Sequence, residues 1–221
     1  MSVLRHEDAK AAAEACAARI LELLHKADGR ATLAISGGSS PKLMFEIFAR
    51  TMFPWERVQL FWVDERVVPP DDAQSNFKLA NDAWLRPVGF PEANIHRVRA
   101  ELGAVESARL YEEEIRRVFV LKDGELPRFD VIHRGMGPDG HTASLFPGDP
   151  HLNDHTGIAA AVWVEKMGSW RVTLLPGVLE AAKHTVMLVT GKDKTEVLAK
   201  VLAGEDYPAG IASGDAEWFV A

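Results

Sequence analysis

Short apolar runs alternate along the chain with stretches in which apolar residues recur every three to four positions. The runs are rich in β-branched or aromatic residues and predict strands over 31–36, 58–63, 94–98, 129–133, 160–165 and 184–190. The longer periodicity predicts helices over 7–26, 41–49, 75–85, 104–119 and 192–203, with Pro41 at the first helical position of the second. This alternation favours an α/β fold with a mainly parallel sheet and helices on both faces.

The chain has the size and composition of one soluble domain. Its 221 residues, without a repeat or a linker, predict a single domain over 1–221. The longest apolar run, 158–164, has seven residues, which is far too short for a membrane helix. Charged residues near the N-terminus, among them Arg5 and Lys10, stand where a secretory signal is apolar, so a cytoplasmic location is expected.

Charge and cysteine content narrow the function classes. The net charge is −7 and no basic run occurs, so a nucleic-acid-binding surface is not expected. An anionic ligand must therefore meet a locally positive pocket. The single cysteine, Cys16, excludes an internal disulfide, and its alanine-rich helical setting predicts an inert packing residue.

Four glycine-rich or charged segments follow predicted strands. They are SGGSSP at 36–41, DERVVPP at 64–70, GMGPDGH at 135–141 and TGKDK at 190–194. In open α/β sheets the ligand crevice lies outside the carboxyl ends of the strands. We therefore expect one crevice to collect all four segments.

The first segment has features of a phosphate-binding loop. Gly37 and Gly38 let a ligand approach the backbone closely, and Ser36 and Ser39 add hydroxyls before a helix N-terminus that favours an anion. The segment lacks the G-K-[ST] of a nucleotide P-loop, so a small phosphate ester is favoured over a triphosphate. A tight strand-to-helix turn with a serine cap explains the same residues equally well.

Charged side chains stand at two further strand ends and in the stretch WRVT. Asp64 can act as a base or an orienting carboxylate, and Arg66, Arg171 and Lys194 supply positive charge for an anion. The alternative is a solvated loop with an internal ion pair and surface cations without a role.

Gly135, Gly137 and Gly140 fit the G-x-G-x-x-G pattern of dinucleotide-binding proteins. Such a site needs a helix of several turns after the third glycine. Pro147 and Gly148 leave room for only one or two turns, which we expect as a short helix. The pattern therefore does not predict a dinucleotide site.

The same segment offers acid–base chemistry instead. Asp139 and His141 lie two residues apart, so the histidine can act as a general base whose tautomer the carboxylate holds. The alternative is a histidine that only hydrogen-bonds its loop. His151 and His155 have helical metal-ligand spacing but lie in a polar loop, and no H-E-x-x-H motif occurs, so no metal is expected.

The chain contains four segments in this order: AISGGSSP, FWVDERVVPPDDAQSN, GMGPDGHTASLFPG and RVTLLPGVLEAAKHTVMLVTGKDK. Together they resemble the 6-phosphogluconolactonase family, which is part of the wider glucosamine-6-phosphate isomerase/6-phosphogluconolactonase family. The resemblance extends from about residue 31 to the terminal AEWFVA, and DGHTASLFPG is its most diagnostic segment. It implies a modified Rossmann-like fold, no cofactor, and hydrolysis of 6-phosphogluconolactone in the oxidative pentose phosphate pathway.

The resemblance also implies roles for the candidate residues. His141 matches the histidine that activates water, with Asp139 beside it, and Arg66 matches an arginine near the lactone. The loop from Ser36 to Ser39, together with Arg171 and Lys194, matches the contacts with phosphate and substrate. The expected partner is a small sugar phosphate lactone, with no nucleic acid, membrane or obligate protein partner.

Two other functions stay open. An amino-sugar-phosphate deaminase of the same fold carries a glutamate seven residues after the aspartate, where this chain has Phe146, and aspartate-glutamate-tyrosine in place of DER. A non-catalytic sugar-phosphate sensor has no need of Asp139 and His141 together. The chain also departs from the family at Ser40, at Glu180 and at His133-Arg134, and we expect Arg134 to reach solvent or the crevice rim.

Overall fold

The computed structural model describes residues 1–221, and strands alternate with helices along most of the chain. There are ten strands: β1 Ser2–Arg5, β2 Ala31–Ile35, β3 Val58–Trp62, β4 Asp64–Arg66, β5 Ile95–His96, β6 Val131–Arg134, β7 Ala159–Val164, β8 Ser169–Leu174, β9 His184–Val189 and β10 Glu217–Val220. The helices are α1 Ala9–Lys26, α2 Ser39–Phe48, α3 Asn76–Ala80, α4 Arg86–Val88, α5 Ala104–Phe119, α6 Pro176–Ala181 and α7 Thr195–Leu202. A π-helical turn, Asn81–Leu85, joins α3 to α4.

Seven strands form one sheet in the order β1-β10-β9-β6-β2-β3-β5, and every neighbouring pair is parallel. This confirms the predicted α/β class with a mainly parallel sheet. The other three strands form a small antiparallel sheet in the order β4-β8-β7. No helix is long and apolar enough to cross a membrane.

The central strands are apolar on both faces because helices cover both sides of the sheet. In β2, Leu33 and Ile35 belong to a buried cluster with residues of α1 and α2, whereas Ala34 between them belongs to a second cluster with residues of α5. This period of two is the geometry of a strand, whose side chains alternate between faces. Continuous apolar runs such as 58–63 are therefore the expected sequence of these strands.

The longest helix, α1, begins at a side-chain cap. The carboxylate of Asp8 accepts a hydrogen bond of 2.8 Å from the backbone N–H of Ala11, which satisfies one free donor of the first turn. Cys16 is fully buried on the inner face of this helix, and burial raises the pKa of its thiol. The predicted packing position of Cys16 is confirmed.

Some elements of the structure differ from the sequence predictions. The stretch 160–165 does form a strand, β7, but it lies in the antiparallel sheet, and β1, β4, β8 and β10 were not predicted. No helix follows Gly140, because residues 142–145 close a tight turn through a bridge between Thr142 and Leu145. Pro41 is the third residue of α2, which begins at Ser39.

Arg134 does not reach solvent or the crevice rim, as we had expected, but is fully buried. It ends β6, which lies between β9 and β2 near the middle of the sheet, so its side chain enters the protein interior. Its Nη2 donates a 2.5 Å hydrogen bond to the main-chain oxygen of Ile211, while Nε and Nη1 have no partner. Burial lowers the pKa of this guanidinium to about 10, so it stays charged at neutral pH.

Candidate active site

The carboxyl ends of β2, β6 and β9 border a cleft of about 270 Å³, and the small sheet closes its other side. Nine of the ten predicted site residues line this cleft: Ser36, Gly37, Gly38, Ser39, Asp64, Arg66, His141, Arg171 and Lys194. The tenth, Asp139, contacts the imidazole of His141. The predicted convergence of the four segments in one crevice is confirmed.

His141 and Asp139 form a hydrogen-bonded pair at the cleft. Nδ1 of the imidazole lies 2.5 Å from Oδ1 of Asp139, and the backbone N–H of His141 donates to the same oxygen at 3.2 Å. A carboxylate only accepts, so the proton of the neutral imidazole sits on Nδ1 and the lone pair on Nε2. This is the tautomer that a general base needs.

The imidazole is packed on two sides. It stacks on the ring of Phe146, with 4.2 Å between ring centroids, and lies against Gly137, where a Cβ atom would come within 2.0 Å of its Cε1. Only glycine at 137 leaves room for the ring in this position. Burial, followed by the charges of Arg171 and Lys194, lowers the pKa of His141 to about 4, although Asp64 opposes the shift. The imidazole is therefore neutral at pH 7.

Lys166 completes the surroundings of this pair. Its ammonium bonds Oδ2 of Asp139 and lies over the ring of Phe146, 4.3 Å from the centroid. The lysine comes from the turn between β7 and β8, so the small sheet binds the carboxylate oxygen that His141 does not contact. Asp139 therefore accepts hydrogen bonds from both His141 and Lys166, which fix its position.

Two arginines stand opposite each other on neighbouring strands of the small sheet. Arg66 in β4 is in register with Arg171 in β8, and both side chains line the cleft. Nε of Arg66 is buried without a partner, while its Nη1 donates to the main-chain oxygen of Gln74 at 2.6 Å. Burial, followed by the charge of Arg66, lowers the pKa of Arg171. Two like charges held side by side make this part of the cleft locally positive in an acidic protein.

Asp64 and Glu65 have different partners. Asp64 is buried at the cleft wall, and its Oδ2 accepts a 2.7 Å hydrogen bond from the hydroxyl of Ser144. Glu65 points away and accepts from the backbone N–H groups of Asn76 and Phe77, both at 2.7 Å. Neither carboxylate pairs with Arg66 in this structure, so the internal ion pair considered from the sequence does not form.

The loop from Ser36 to Ser39 leads into the N-terminus of α2. Gly38 is the N-cap residue, with φ of 120°, and no side chain caps the helix. The first backbone N–H groups of α2 are therefore free to bind an anion. Lys194 lines the same cleft from the segment after β9, and burial lowers the pKa of its ammonium.

Sequence reasoning did not single out four residues that shape the cleft or its catalytic pair: Asn76, Ser144, Phe146 as a packing partner, and Lys166. Asn76 and Lys166 belong to α3 and to the turn before β8, away from the ends of the parallel strands. In the sequence, only the polar pair Ser75-Asn76 and the lysine five residues before Arg171 could have pointed to them. His151 and His155 each pair with a different carboxylate, those of Asp149 and Glu180.

Comparison with known proteins gives concordant results. The family model described as glucosamine-6-phosphate isomerases/6-phosphogluconolactonase matches residues 7–220. A 6-phosphogluconolactonase from Synechocystis is 40% identical over 186 residues, covering 82% of this chain and 77% of the relative. The structure of a 6-phosphogluconolactonase from Thermotoga maritima has a TM-score of 0.86 and 30% identity, covering 99% of this chain and 98% of its own. A monomeric glucosamine-6-phosphate deaminase has a TM-score of 0.85 at 17% identity, which shows a shared fold alone.

Proposed function

The chain belongs to the family of glucosamine-6-phosphate isomerases and 6-phosphogluconolactonases, and on that basis we propose that it hydrolyses 6-phosphogluconolactone to 6-phosphogluconate in the pentose phosphate pathway. Relatives that share 39–40% of its sequence, among them the one from Synechocystis, are named 6-phosphogluconolactonases. We further propose that residues 1–221 act as one catalytic domain.

One observation carries the mechanism: the imidazole of His141, bonded through Nδ1 to Asp139, shares a cleft with two arginines and a lysine. A lactone carbonyl is already electrophilic, so the attacking water needs a base, and the oxyanion of the tetrahedral intermediate needs a positive field. His141 supplies the first and the cationic cleft supplies the second.

The proposed reaction begins with water near Nε2 of His141. As the water oxygen bonds to the lactone carbonyl carbon, its proton passes to Nε2, and the carbonyl π electrons move to oxygen. Arg66, Arg171 or backbone N–H groups stabilise that oxyanion. When the tetrahedral intermediate collapses, the bond to the ring oxygen breaks and the imidazolium returns the proton to it. Asp139 stabilises the imidazolium during both steps.

The phosphate is proposed to bind at the other end of the cleft. The free N–H groups of α2, the hydroxyls of Ser36 and Ser39, and the ammonium of Lys194 are all donors. The hydroxyl of Ser36 is buried without a partner, as expected of a group that a ligand completes. A dianion accepts every one of these hydrogen bonds.

The deaminase alternative needs a carboxylate where this chain has Phe146. That ring instead stacks on His141 and carries no titratable group. The sensor alternative leaves the His141–Asp139 pair without a purpose. Both alternatives are therefore less well supported than lactone hydrolysis.

Two assays on the same preparation separate these functions. Acid release from freshly generated 6-phosphogluconolactone is followed in a pH-stat, and ammonia release is followed from glucosamine 6-phosphate. We expect acid release well above the spontaneous rate and no ammonia. Ammonia without acid would indicate a deaminase, and neither product, with 6-phosphogluconate still binding, would indicate a sensor.

A further inference from the structure

Asn76 is a cleft residue for which the proposed mechanism has no use. It is the first residue of α3, is only 1% exposed, and lines the cleft. Its backbone N–H donates to Oε1 of Glu65 at 2.7 Å, and the same carboxylate accepts from the hydroxyl of Ser75 at 3.2 Å. A buried carboxylate therefore fixes the backbone of Asn76.

Hydrogen bonding also determines how the side-chain amide is oriented. Nδ2 of Asn76 donates to the main-chain oxygen of Asp64 at 2.9 Å. A carbonyl oxygen can only accept, so the NH₂ group must face Asp64 and Oδ1 must face away from it. The amide is anchored at its nitrogen, and its oxygen has one defined position.

That position is buried beside Gly37, and Oδ1 has no hydrogen-bond partner there. A Cβ atom on residue 37 would lie 1.9 Å from Oδ1 and 2.3 Å from the amide carbon. Glycine at 37 is therefore required for the amide to stand in this place. A buried acceptor without a partner costs free energy, so its persistence at a ligand cleft suggests that the ligand supplies the missing donor.

The chemistry of the cleft limits what that donor can be. Most polar groups on the wall are donors, including Arg66, Arg171 and Lys194, and these suit the phosphate and the lactone carbonyl, which carry acceptors only. Neither of those two substrate groups can satisfy Oδ1. The hydroxyls of the sugar ring are the substrate groups that can.

We propose that Asn76 determines specificity for the sugar, with Oδ1 accepting a hydrogen bond from a ring hydroxyl of the substrate. This inference rests on the proposed function, because it takes the substrate to be a polyhydroxylated lactone. It adds that the enzyme recognises one hydroxyl, and not only the phosphate and the carbonyl.

The test compares 6-phosphogluconolactone with its 2-, 3- and 4-deoxy analogues on the wild type and on Asn76→Ala. For one analogue, the wild type should lose about 5- to 150-fold in kcat/KM, the effect of leaving a buried polar group unpaired. In Asn76→Ala that ratio should fall to within about threefold of unity. Since both lactones are measured on one preparation, an inactive fraction of the variant cancels from the ratio. The difference in intrinsic reactivity between the two lactones cancels when the ratio for the wild type is compared with the ratio for the variant.

A further variant controls for the helix. Ser75→Ala removes the hydroxyl that accepts from the N–H of Lys78 and donates to Glu65, so it weakens the same helix end without touching Oδ1. It should keep the full deoxy penalty. Equal penalties in wild type and Asn76→Ala for every analogue, or loss of the penalty in Ser75→Ala, would overturn the proposal.

Calorimetric binding of 6-phosphogluconate and its deoxy acids distinguishes this failure from failure of the proposed function. If the wild type releases no acid from the lactone, the lactonase function fails. The inference on Asn76 is then decided by binding alone: a deoxy penalty present in the wild type and lost in Asn76→Ala supports it, and an unchanged penalty overturns it.

Discussion

Lowering the pH from 7 to 5.5 should leave the catalytic base of this enzyme almost fully active. Burial of His141 lowers its pKa to about 4, so about 97% of the imidazole is neutral at pH 5.5, by the ordinary titration equation. An imidazole with the usual pKa of about 6.5 is only about 9% neutral at that pH. The two cases therefore differ about tenfold in activity. A general base works only when it is unprotonated, so activity is lost only as the pH falls through about 4.

The assay is the pH dependence of kcat/KM between pH 4 and 8, with the spontaneous rate subtracted at every pH. The substrate phosphate also titrates, with a pKa of about 6, and can produce an acid limb of its own. Unphosphorylated gluconolactone, measured in the same buffers, lacks that group and isolates the enzyme. A midpoint near 6.5 with the unphosphorylated lactone would refute the buried neutral base.

Three other outcomes are expected. Lys194→Ala should raise KM for 6-phosphogluconolactone by about 10- to 150-fold with kcat largely preserved, because phosphate binding is uniform along the reaction; an equal loss with unphosphorylated gluconolactone would remove Lys194 from the phosphate site. His133 is fully buried with both ring nitrogens unpartnered, and burial lowers its pKa to about 3. The unfolded chain therefore binds its proton first, and stability present above about pH 6.5 should fall by roughly 2 to 3 kcal/mol by pH 4.5 through this residue alone. His133→Leu should remove that part of the slope in denaturant titrations, and an unchanged slope would contradict the assignment. NAD and NADP at millimolar concentration should not raise the melting temperature, whereas 6-phosphogluconate should; stabilisation by a dinucleotide alone would restore the G-x-G-x-x-G interpretation.

The parallel sheet was predictable because its central strands are buried on both faces and appear as continuous apolar runs. The antiparallel sheet was not. Residues 160–165 have strand character, but nothing in a period of two tells which neighbour a strand pairs with. β8 contains Ser169 and Arg171, and β4 consists of three charged residues, so neither has an apolar run to reveal it. Their pairing is a tertiary contact and not a local preference.

The candidate site residues at strand ends could be predicted from the sequence, because topology alone brings the carboxyl ends of parallel strands together. Asn76 and Lys166 reach the site from a helix start and a turn, which that rule does not cover. Arg134 was placed wrongly because a charged residue is ordinarily exposed, whereas its strand lies near the middle of the sheet. Its position is set by the strand order, which the sequence pattern does not contain.

The most direct test of His141 as the general base compares wild type with His141→Asn in the pH-stat, at pH 7 and with saturating 6-phosphogluconolactone. Asparagine keeps a polar side chain at the cleft but cannot take a proton from water. We expect kcat to fall by about 10²- to 10⁴-fold, the usual contribution of a positioned acid–base group, while binding of 6-phosphogluconate changes little. Near-normal acid release by the variant would contradict it and would leave His141 as a structural residue of its loop.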